Sequence, residues 1–273
     1  TQGNIYRQKS YGKVTEGKVS LVLGAGNISS IGPMDMLYKL FVEDEVVLLK
    51  TNPVNAYTGP MVERAFAPLI NRGFFAVVHG GAEVGKHLCD HEGIHTIHIT
   101  GSDQTHDAIV WGGNKKQIKE RKKAGTPTNQ RPVTSELGCV TPVFVVPGAW
   151  SDSELDYQAR QVAAMVSHNG SFNCNAAKVL VTAKNWPLRD EFIHRVKQTL
   201  ACTPPRKAYY PGAESRYETF MKKYPESLKL GEDGAEIVPW TLIPDVACKK
   251  GEYALTNEAF CGVIADLAID ASE

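Results

Sequence analysis

Cys174 has the most distinctive surroundings of the six cysteines in the sequence. It lies in residues 170–177, a stretch of small and polar side chains directly before the apolar residues of 178–181. A cysteine that serves only in packing usually has apolar neighbours. The residues therefore leave two interpretations of Cys174 open, a nucleophilic thiol or an incidental one. The other five cysteines are predicted to be core or incidental residues.

Three loops of small residues could surround an anionic cofactor, because each follows a predicted strand. They are residues 24–30, 80–85 and 100–102. The first loop has serine where a dinucleotide fingerprint requires its third glycine, so it is a weak signal by itself. Each loop could be a tight turn without a ligand, but three in succession favour a nucleotide, whose phosphates bind backbone N–H groups.

Histidine and cysteine are concentrated between residues 87 and 98, which raises the question of a metal site. The spacing matches neither a zinc finger nor an HExxH motif. His95 and His98 are expected on opposite faces of one strand, since side chains alternate along a strand. We therefore predict no metal site.

The elements that must position these groups alternate between strand and helix. Strands are predicted at 19–23, 46–49, 74–78 and 96–99, with helices at 34–42, 61–69, 83–89 and 104–110. Such alternation is typical of right-handed crossovers and an open, doubly wound, Rossmann-like parallel sheet. Ligands bind such sheets at the carboxyl ends of the strands, where the three loops lie.

A second α/β unit is predicted to begin near Glu136. Its elements are strands at 143–146 and 178–181 and helices at 154–166 and 188–199. The predicted domains are thus residues 1–135 and residues 136–273. The basic stretch 114–131 is predicted to be a helix end followed by a solvated linker. Residues 203–236 are expected to form loops and short helices.

Composition excludes several classes of function. The 273 residues contain 30 Lys and Arg and 30 Asp and Glu, so no net charge favours nucleic acid or an anionic membrane. No apolar run approaches the roughly 18–20 residues of a membrane span. The cysteines are scattered, and Thr1–Asn4 lacks the start of a signal peptide. We therefore expect a cytoplasmic protein without nucleic-acid or membrane partners.

Seven motifs occur in the order and approximate spacing of the aldehyde dehydrogenase superfamily, which the chain resembles from Val19 to Val263. Full-length members are longer, so the resemblance implies a central section of a longer member, incomplete at the C-terminal end of its second domain. The motifs are Gly24-Ala-Gly-Asn27, Lys50-Thr-Asn-Pro53, Gly81-Ala-Glu-Val-Gly85, Thr100-Gly-Ser102, Glu136-Leu-Gly-Cys139, Cys174 and Asn257-Glu-Ala-Phe260.

The resemblance implies oxidation of a small-molecule aldehyde in a homo-oligomer of the full-length protein. Cys174 matches the nucleophile, whose thiolate adds to the carbonyl. Asn27 matches the amide that stabilises the resulting oxyanion. Glu136 matches the general base that activates water to hydrolyse the thioester.

The resemblance also implies NAD or NADP as the cofactor. Lys50 and Glu258 match residues that hold the two ribose groups, and Phe260 matches an aromatic residue near the nicotinamide. The remaining matches, which correspond to the surroundings of the adenine and pyrophosphate, are Gly81, Gly85, Gly101 and Ser102.

Three positions depart from the family pattern. Pro53 replaces the carboxylate with which many NAD-preferring members bind the adenosine ribose, so NADP is also expected to bind. Gly26 stands where a tryptophan often precedes the oxyanion asparagine. Cys139 replaces the second glycine of its motif.

Two other functions fit part of the sequence. An acylating relative would release the thioester to coenzyme A, but such members commonly lack the carboxylate that Glu136 provides. A non-catalytic nucleotide-binding or assembly module would explain the departures at Gly26 and Cys139. The presence of Cys174, Asn27 and Glu136 favours the hydrolytic enzyme over both.

Overall fold

The structure, a computed structural model, describes residues 16–232 and 234–271. It consists of two units, Thr1–Leu137 and Gly138–Glu273. The division falls two residues after the predicted boundary at 135, because Glu136 belongs to the last strand of the first sheet. Thr1–Asn4, on which the expectation about a signal peptide rests, lies outside the described residues.

The first unit contains a five-stranded parallel sheet in the order β3-β2-β1-β4-β5. The central strand, β1, pairs with β2 and β4, and Val19 lies opposite Val46. The chain runs outward from β1 to β3 and then returns to β4, so strand order reverses between β1 and β4. In such sheets this reversal is where ligands bind. The strands are β1 (Val19–Leu23), β2 (Val46–Lys50), β3 (Phe75–Val78), β4 (Thr96–Gly101) and β5 (Val133–Leu137).

Helices cover both faces of this sheet. Met36 of α1 and Val62 of α2 pack with Val22 on one face. On the other face, Cys89 of α4 packs with Leu21. The predicted doubly wound α/β arrangement is confirmed. The helices are α1 (Ile31–Tyr38), α2 (Gly59–Ala65), α3 (Ala67–Ile70), α4 (Ala82–Asp90), α5 (Asp103–Val110) and α6 (Lys115–Ala124).

Helix α6 corrects the prediction of a linker after a helix end. Asn114 and Gln117 form a reciprocal capping box at its start, and Gly125 ends it with a left-handed backbone (φ 65°). The helix spans 10 residues and buries none of them. The capping residues at its two ends, rather than an apolar face, therefore predict this helix from the sequence.

The second unit has a mixed five-stranded sheet in the order β6-β7-β10-β9-β8, with only β8 antiparallel. The strands are β6 (Thr141–Phe144), β7 (Ala177–Ala183), β8 (Leu228–Leu230), β9 (Trp240–Ile243) and β10 (Val263–Ile269). Its helices are α7 (Asp152–Ser167), α8 (Arg189–Cys202), α9 (Ala213–Lys223) and α10 (Tyr253–Thr256).

Strand β7 is buried along its whole length and lies between β6 and β10 in this sheet. Leu180 packs with α7 and α8 on one face, whereas Val179 packs with Phe220 of α9 on the other. The predicted second α/β unit is therefore present. Helix α9 spans 11 residues in a stretch that was expected to hold loops and short helices.

The helices of residues 16–232 and 234–271 include none that is both long and apolar enough to cross a membrane.

Candidate active site

The predicted site residues of the first unit lie at the carboxyl edge of its sheet. Asn27 lies in the loop after β1 and is partly buried, and Lys50 is the last residue of β2. Gly81 and Ser102 follow β3 and β4. Parallel strands end at one edge, so four separate motifs meet there.

Lys50 is buried, with 7% of its surface exposed. This burial lowers the pKa of its ammonium group. The backbone carbonyl of Lys50 accepts a hydrogen bond from Gly24 N–H at 3.0 Å, which fixes the end of β2 against the loop after β1. The lysine is therefore held in place where the sequence predicts a ribose contact.

Pro53 is exposed and begins the 3₁₀-helical turn Pro53–Thr58. Asn52 caps this turn, since its Oδ1 accepts from Val54 N–H at 3.0 Å. A Cβ atom at Gly26 would lie 2.7 Å from the Asn52 side chain. Position 26 consequently has no room for tryptophan while Asn52 occupies this place, which explains the departure at Gly26.

Helix α4 begins at Gly81 without a side-chain cap. Cβ atoms built at Gly81 and Gly85 would meet nothing within 4 Å, so protein packing does not require glycine at either position. The open space and the N–H groups of the first turn fit an anionic ligand that approaches the backbone closely.

Ser102 has a structural role at the equivalent place after β4. Its Oγ accepts from Thr105 N–H at 3.2 Å and caps α5. Gly101 precedes it as the last residue of β4. The hydroxyl of Ser102 thus stabilises the helix start as well as lying at the predicted cofactor edge.

His79 was missed by the sequence analysis, although it directly follows a predicted strand. Its Nδ1 lies 3.1 Å from Thr51 Oγ1, and Thr51 is buried. A Cβ atom at Gly59 would lie 2.1 Å from the His79 ring. The His79 imidazole therefore lies at the carboxyl edge of the sheet, beside the end of β2.

Glu136 is exposed on β5, where it is paired with Thr100 of β4. A carboxylate that remains in contact with water can act as a base on water. Glu136 and Asn27 belong to the first unit, whereas Cys174 belongs to the second.

Cys174 lies in the loop that precedes the buried strand β7, and it is partly exposed. The backbone before it has three successive left-handed residues, with φ of 53° at Asn169, 64° at Gly170 and 68° at Ser171. Left-handed backbone is costly for non-glycine residues, so surrounding contacts must stabilise this turn.

Lys178 provides such contacts. Its Nζ donates to the carbonyl oxygen of Ser171 at 3.2 Å and to Ser171 Oγ at 2.8 Å. Lys178 is 4% exposed and Ser171 is fully buried. Burial lowers the pKa of Lys178 to about 8. The turn before Cys174 is thereby tied to a buried amine four residues after it.

The carbonyl oxygen of Cys174 is also held. Cys139 Sγ lies 3.3 Å from it and Thr141 Oγ1 lies 3.4 Å from it, and both can donate a hydrogen bond. These contacts orient the peptide that follows Cys174, and they leave the thiol partly exposed.

Glu258 packs directly against the backbone at Gly138. A Cβ atom at Gly138 would lie 1.9 Å from Glu258 Oε2, so this position requires glycine while the carboxylate stays there. Burial is the main cause that lowers the pKa values of Lys178, which is buried, and of Arg216, which is partly buried, and the negative charge of Glu258 partly opposes both shifts. Glu258, itself partly buried, therefore contributes negative charge near both cations in the second unit.

Arg216 of α9 holds the segment that contains Phe260. Its Nε donates to Ala259 O at 3.0 Å and its Nη2 to Phe260 O at 3.3 Å. The guanidinium lies 5.7 Å from the centre of the Phe260 ring. Tyr210 contacts the same ring edge to face at 5.0 Å. The sequence pattern contained no signal for Arg216.

Histidine, cysteine and carboxylate groups in the described part of the chain form no cluster of three or more that could hold a metal ion. The His91 ring contacts His87 edge to face, and His95 Nδ1 accepts from Val19 N–H at 3.1 Å.

These features define a two-unit α/β protein, with an anion-compatible edge on its first sheet and a candidate thiol nucleophile in its second unit. The family model described as "Aldehyde dehydrogenase family" matches residues 27–209, which is more than half of the chain. The chain belongs to the aldehyde dehydrogenase family.

Curated relatives and solved structures agree with this assignment. The 4-trimethylaminobutyraldehyde dehydrogenase of Mus musculus is 33% identical over 129 residues, which cover 46% of this chain and 22% of the relative. The protein of that name from Bos taurus is 31% identical over 131 residues, with the same two coverages.

Two solved structures share the fold at a TM-score of 0.73. The NADP-dependent glyceraldehyde-3-phosphate dehydrogenase of Bacillus halodurans C-125, complexed with NADP, is 19% identical and matches 93% of this chain and 52% of its own. The gamma-glutamyl-gamma-aminobutyraldehyde dehydrogenase of Burkholderia cenocepacia J2315 is 21% identical, with coverages of 94% and 52%. The chain therefore spans about half the length of these structures.

Proposed function

We propose that this chain contributes the cofactor-binding edge and the nucleophilic thiol to an NAD(P)-dependent oxidation of an aldehyde to a carboxylic acid. The setting of Cys174 carries the proposal: a partly exposed thiol on a loop that Lys178 stabilises, within a family of aldehyde dehydrogenases. The overall reaction converts an aldehyde, the oxidised cofactor and water into a carboxylate, the reduced cofactor and two protons.

The residues present fit a dinucleotide. In the first unit, the uncapped start of α4 and the open space at Gly81 and Gly85 suit a pyrophosphate, and Lys50 would hold one ribose. In the second unit, Glu258 would hold the other ribose, and Phe260 would flank the nicotinamide. When bound, NAD or NADP supplies the acceptor for the hydride that leaves the substrate carbon.

The protein groups act before and after hydride transfer. The Cys174 thiolate adds to the aldehyde carbon and forms a thiohemiacetal. The Asn27 amide and the Cys174 backbone N–H donate to its oxygen, a contribution of about 3–4 kcal/mol per donor. After the thioester has formed, Glu136 takes a proton from water, which attacks the acyl carbon and releases the carboxylate and the thiol. Exposure of Glu136 to water supports this hydrolytic role over transfer to coenzyme A.

We retain a cytoplasmic location and a homo-oligomeric full-length protein as proposals. Fractionation of cells and light scattering on the full-length protein would test them.

Absorbance at 340 nm with propanal and either NAD⁺ or NADP⁺ tests the activity, on the chain as printed and on the full-length protein. Cys174→Ala should abolish turnover and leave cofactor affinity unchanged, whereas the matched control Cys202→Ala should behave as wild type, because Cys202 is an exposed thiol at the end of α8. Turnover by Cys174→Ala above a few per cent of wild type would disprove the role of this thiol.

Glu136→Gln separates the two chemical stages. It should retain a pre-steady-state burst of reduced cofactor and lose steady-state turnover, because water is needed only to release the acyl group. Unchanged steady-state turnover would exclude Glu136 as the base.

A further inference from the structure

Two thiols lie together in the second unit. Cys139 Sγ is 3.3 Å from the carbonyl oxygen of Cys174 and 3.0 Å from Thr141 Oγ1. Cys139 is exposed and Cys174 is partly exposed, so small molecules in solution have access to both. Cys139 also occupies a position at which the family motif has glycine, so its thiol is a particular feature of this chain.

The strand register places the two residues together independently of any one side-chain conformer. Strand β6 pairs with β7 so that Thr141 lies opposite Ala177. Cys139 comes two residues before Thr141, and Cys174 comes three residues before Ala177. Neighbouring strands are about 4.8 Å apart, so the segments that enter them start side by side.

The two side chains are within reach of a disulfide. A carbonyl oxygen lies about 2.4 Å from the Cα atom of its own residue. Added to the 3.3 Å contact, this puts Cys139 Sγ at most about 5.7 Å from the Cα of Cys174. Disulfide-bonded cysteines have Cα atoms about 4.4–6.8 Å apart, and the spacing of about 4.8 Å between segments that enter paired strands lies within this range. Rotation about the Cα–Cβ bonds can therefore bring the sulfurs together without a change of fold.

We propose that Cys139 is a redox modification site that captures the oxidised form of Cys174 as a reversible disulfide, with a hydroperoxide as the oxidant. The Cys174 thiolate attacks the peroxide oxygen, an S–O bond forms, the O–O bond breaks, and an alcohol or water leaves after protonation. The Cys139 thiolate then attacks the sulfur of this sulfenic acid, the S–S bond forms, and the oxygen leaves as water.

The reaction consumes two thiols and one hydroperoxide. It yields one disulfide, one alcohol or water from the peroxide, and one water from the sulfenic acid. The two thiols lose two electrons, and the peroxide gains them. A dithiol reverses the reaction by exchange. Capture by Cys139 prevents further oxidation of Cys174 to the sulfinic acid, which dithiols do not reduce.

Peptide mass analysis tests the proposal without any need for turnover, so its failure is distinguishable from failure of the proposed enzymatic function. Trypsin releases Cys139 and Cys174 on separate peptides, because Lys123, Arg160 and Lys178 are cleavage sites. The protein is treated with one equivalent of hydrogen peroxide, free thiols are alkylated under denaturing conditions, and the digest is compared with and without dithiothreitol.

Wild type should yield a linked pair of peptides 124–160 and 161–178, two hydrogens lighter than their sum, which dithiothreitol separates with recovery of the Cys174 thiol. Cys139→Ser should lack the pair and accumulate sulfinic acid at Cys174 with excess peroxide. Cys202→Ser, which removes a different exposed thiol, should match wild type. Sulfinic acid accumulating equally in wild type and Cys139→Ser, or a disulfide of Cys174 with another cysteine, would overturn the proposal.

Discussion

The side chains nearest to Cys174 in sequence account for the shape of its loop. Asn169 and Ser171 both adopt left-handed backbone, which costs on the order of 1–3 kcal/mol for each non-glycine residue. Two hydrogen bonds from Lys178 Nζ to Ser171 offset part of that cost. Lys178 is thus a positioning residue for the Cys174 nucleophile. Its removal should destabilise the left-handed turn at residues 169–171.

Lys178→Met should change how stability depends on pH. The pKa of Lys178 is about 8 in the folded protein and 10.5 when unfolded, so above about pH 8 the unfolded chain holds a proton that the folded one has lost. The free energy of unfolding of wild type should therefore rise relative to Lys178→Met between about pH 8 and pH 10.5, by up to about 3 kcal/mol.

Urea unfolding of both proteins at pH 7, 8.5 and 10 measures this difference. Both proteins keep Cys261, a buried thiol whose pKa is raised to about 11 by burial, so its contribution is common to both apart from its charge interaction with Lys178. A constant gap between the two proteins across these values would contradict a buried, titrating Lys178.

Pro53 is the residue from which cofactor choice can be argued. It is exposed, carries no charge and offers no hydrogen-bond donor, so it neither binds the ribose hydroxyls of NAD nor repels a 2′-phosphate. Lys50 is three residues earlier, and because it is buried and assigned to the ribose, we expect it to add little attraction for a 2′-phosphate. Wild type should therefore bind NAD and NADP within about tenfold of each other, since tenfold is about 1.4 kcal/mol.

Pro53→Glu should weaken NADP binding about tenfold more than NAD binding, because the new carboxylate repels the 2′-phosphate. Pro53→Gln is the matched control, with similar size and no charge, and it should leave the ratio of affinities near that of wild type. Calorimetric titration of both cofactors into the three proteins decides the matter. Equal shifts for Glu and Gln would place the choice at another residue, such as His79 on the neighbouring strand end.

At the scale of elements, strands made of continuous apolar residues could be predicted from the sequence. Strands without such residues could not. Strands β1, β2, β4 and β7 are largely buried, and their continuous apolar residues predict them. Strand β3 is also apolar in sequence, although only Phe75 of it is buried. Strand β5 exposes three of its five residues, so hydrophobicity gave no strand signal there. Helix α6 is polar on all sides, and only its capping residues distinguish it from a charged linker.

Asn114→Ala should therefore destabilise helix α6. The Asn114 Oδ1 accepts from the N–H groups of Lys116 and Gln117, both at 3.1 Å. Loss of such a cap typically costs about 1 kcal/mol. Hydrogen exchange of residues 115–124 should accelerate about fivefold. Lys119→Ala, an exposed change in the same helix, should leave it nearly unchanged, and equal acceleration in both variants would show that the cap is unimportant.

At the scale of the whole molecule, sequence order predicted the two units and the strand ends that carry each motif. It could not predict contacts between residues that are distant in the chain. The packing of Gly26 on Asn52 and of Gly138 on Glu258 depends on side-chain positions that spacing does not encode. Cys139 and Cys174 likewise meet only through the pairing of β6 with β7. Two of these residues, Gly26 and Cys139, are positions at which the chain departs from the family pattern.

The proposed pyrophosphate contacts at the start of α4 lead to a prediction for cofactor binding by the first unit. Saturating NADP⁺ should slow hydrogen exchange at residues 80–85, because N–H groups at the start of α4 would donate to the pyrophosphate. The turns 71–74 and 91–95 precede β3 and β4 at the opposite edge of the sheet and serve as internal controls. Cys174→Ala should give the same pattern as wild type, since binding does not need the thiol. Protection of the control turns instead of residues 80–85 would place the cofactor at the wrong edge of the first sheet for the proposed chemistry.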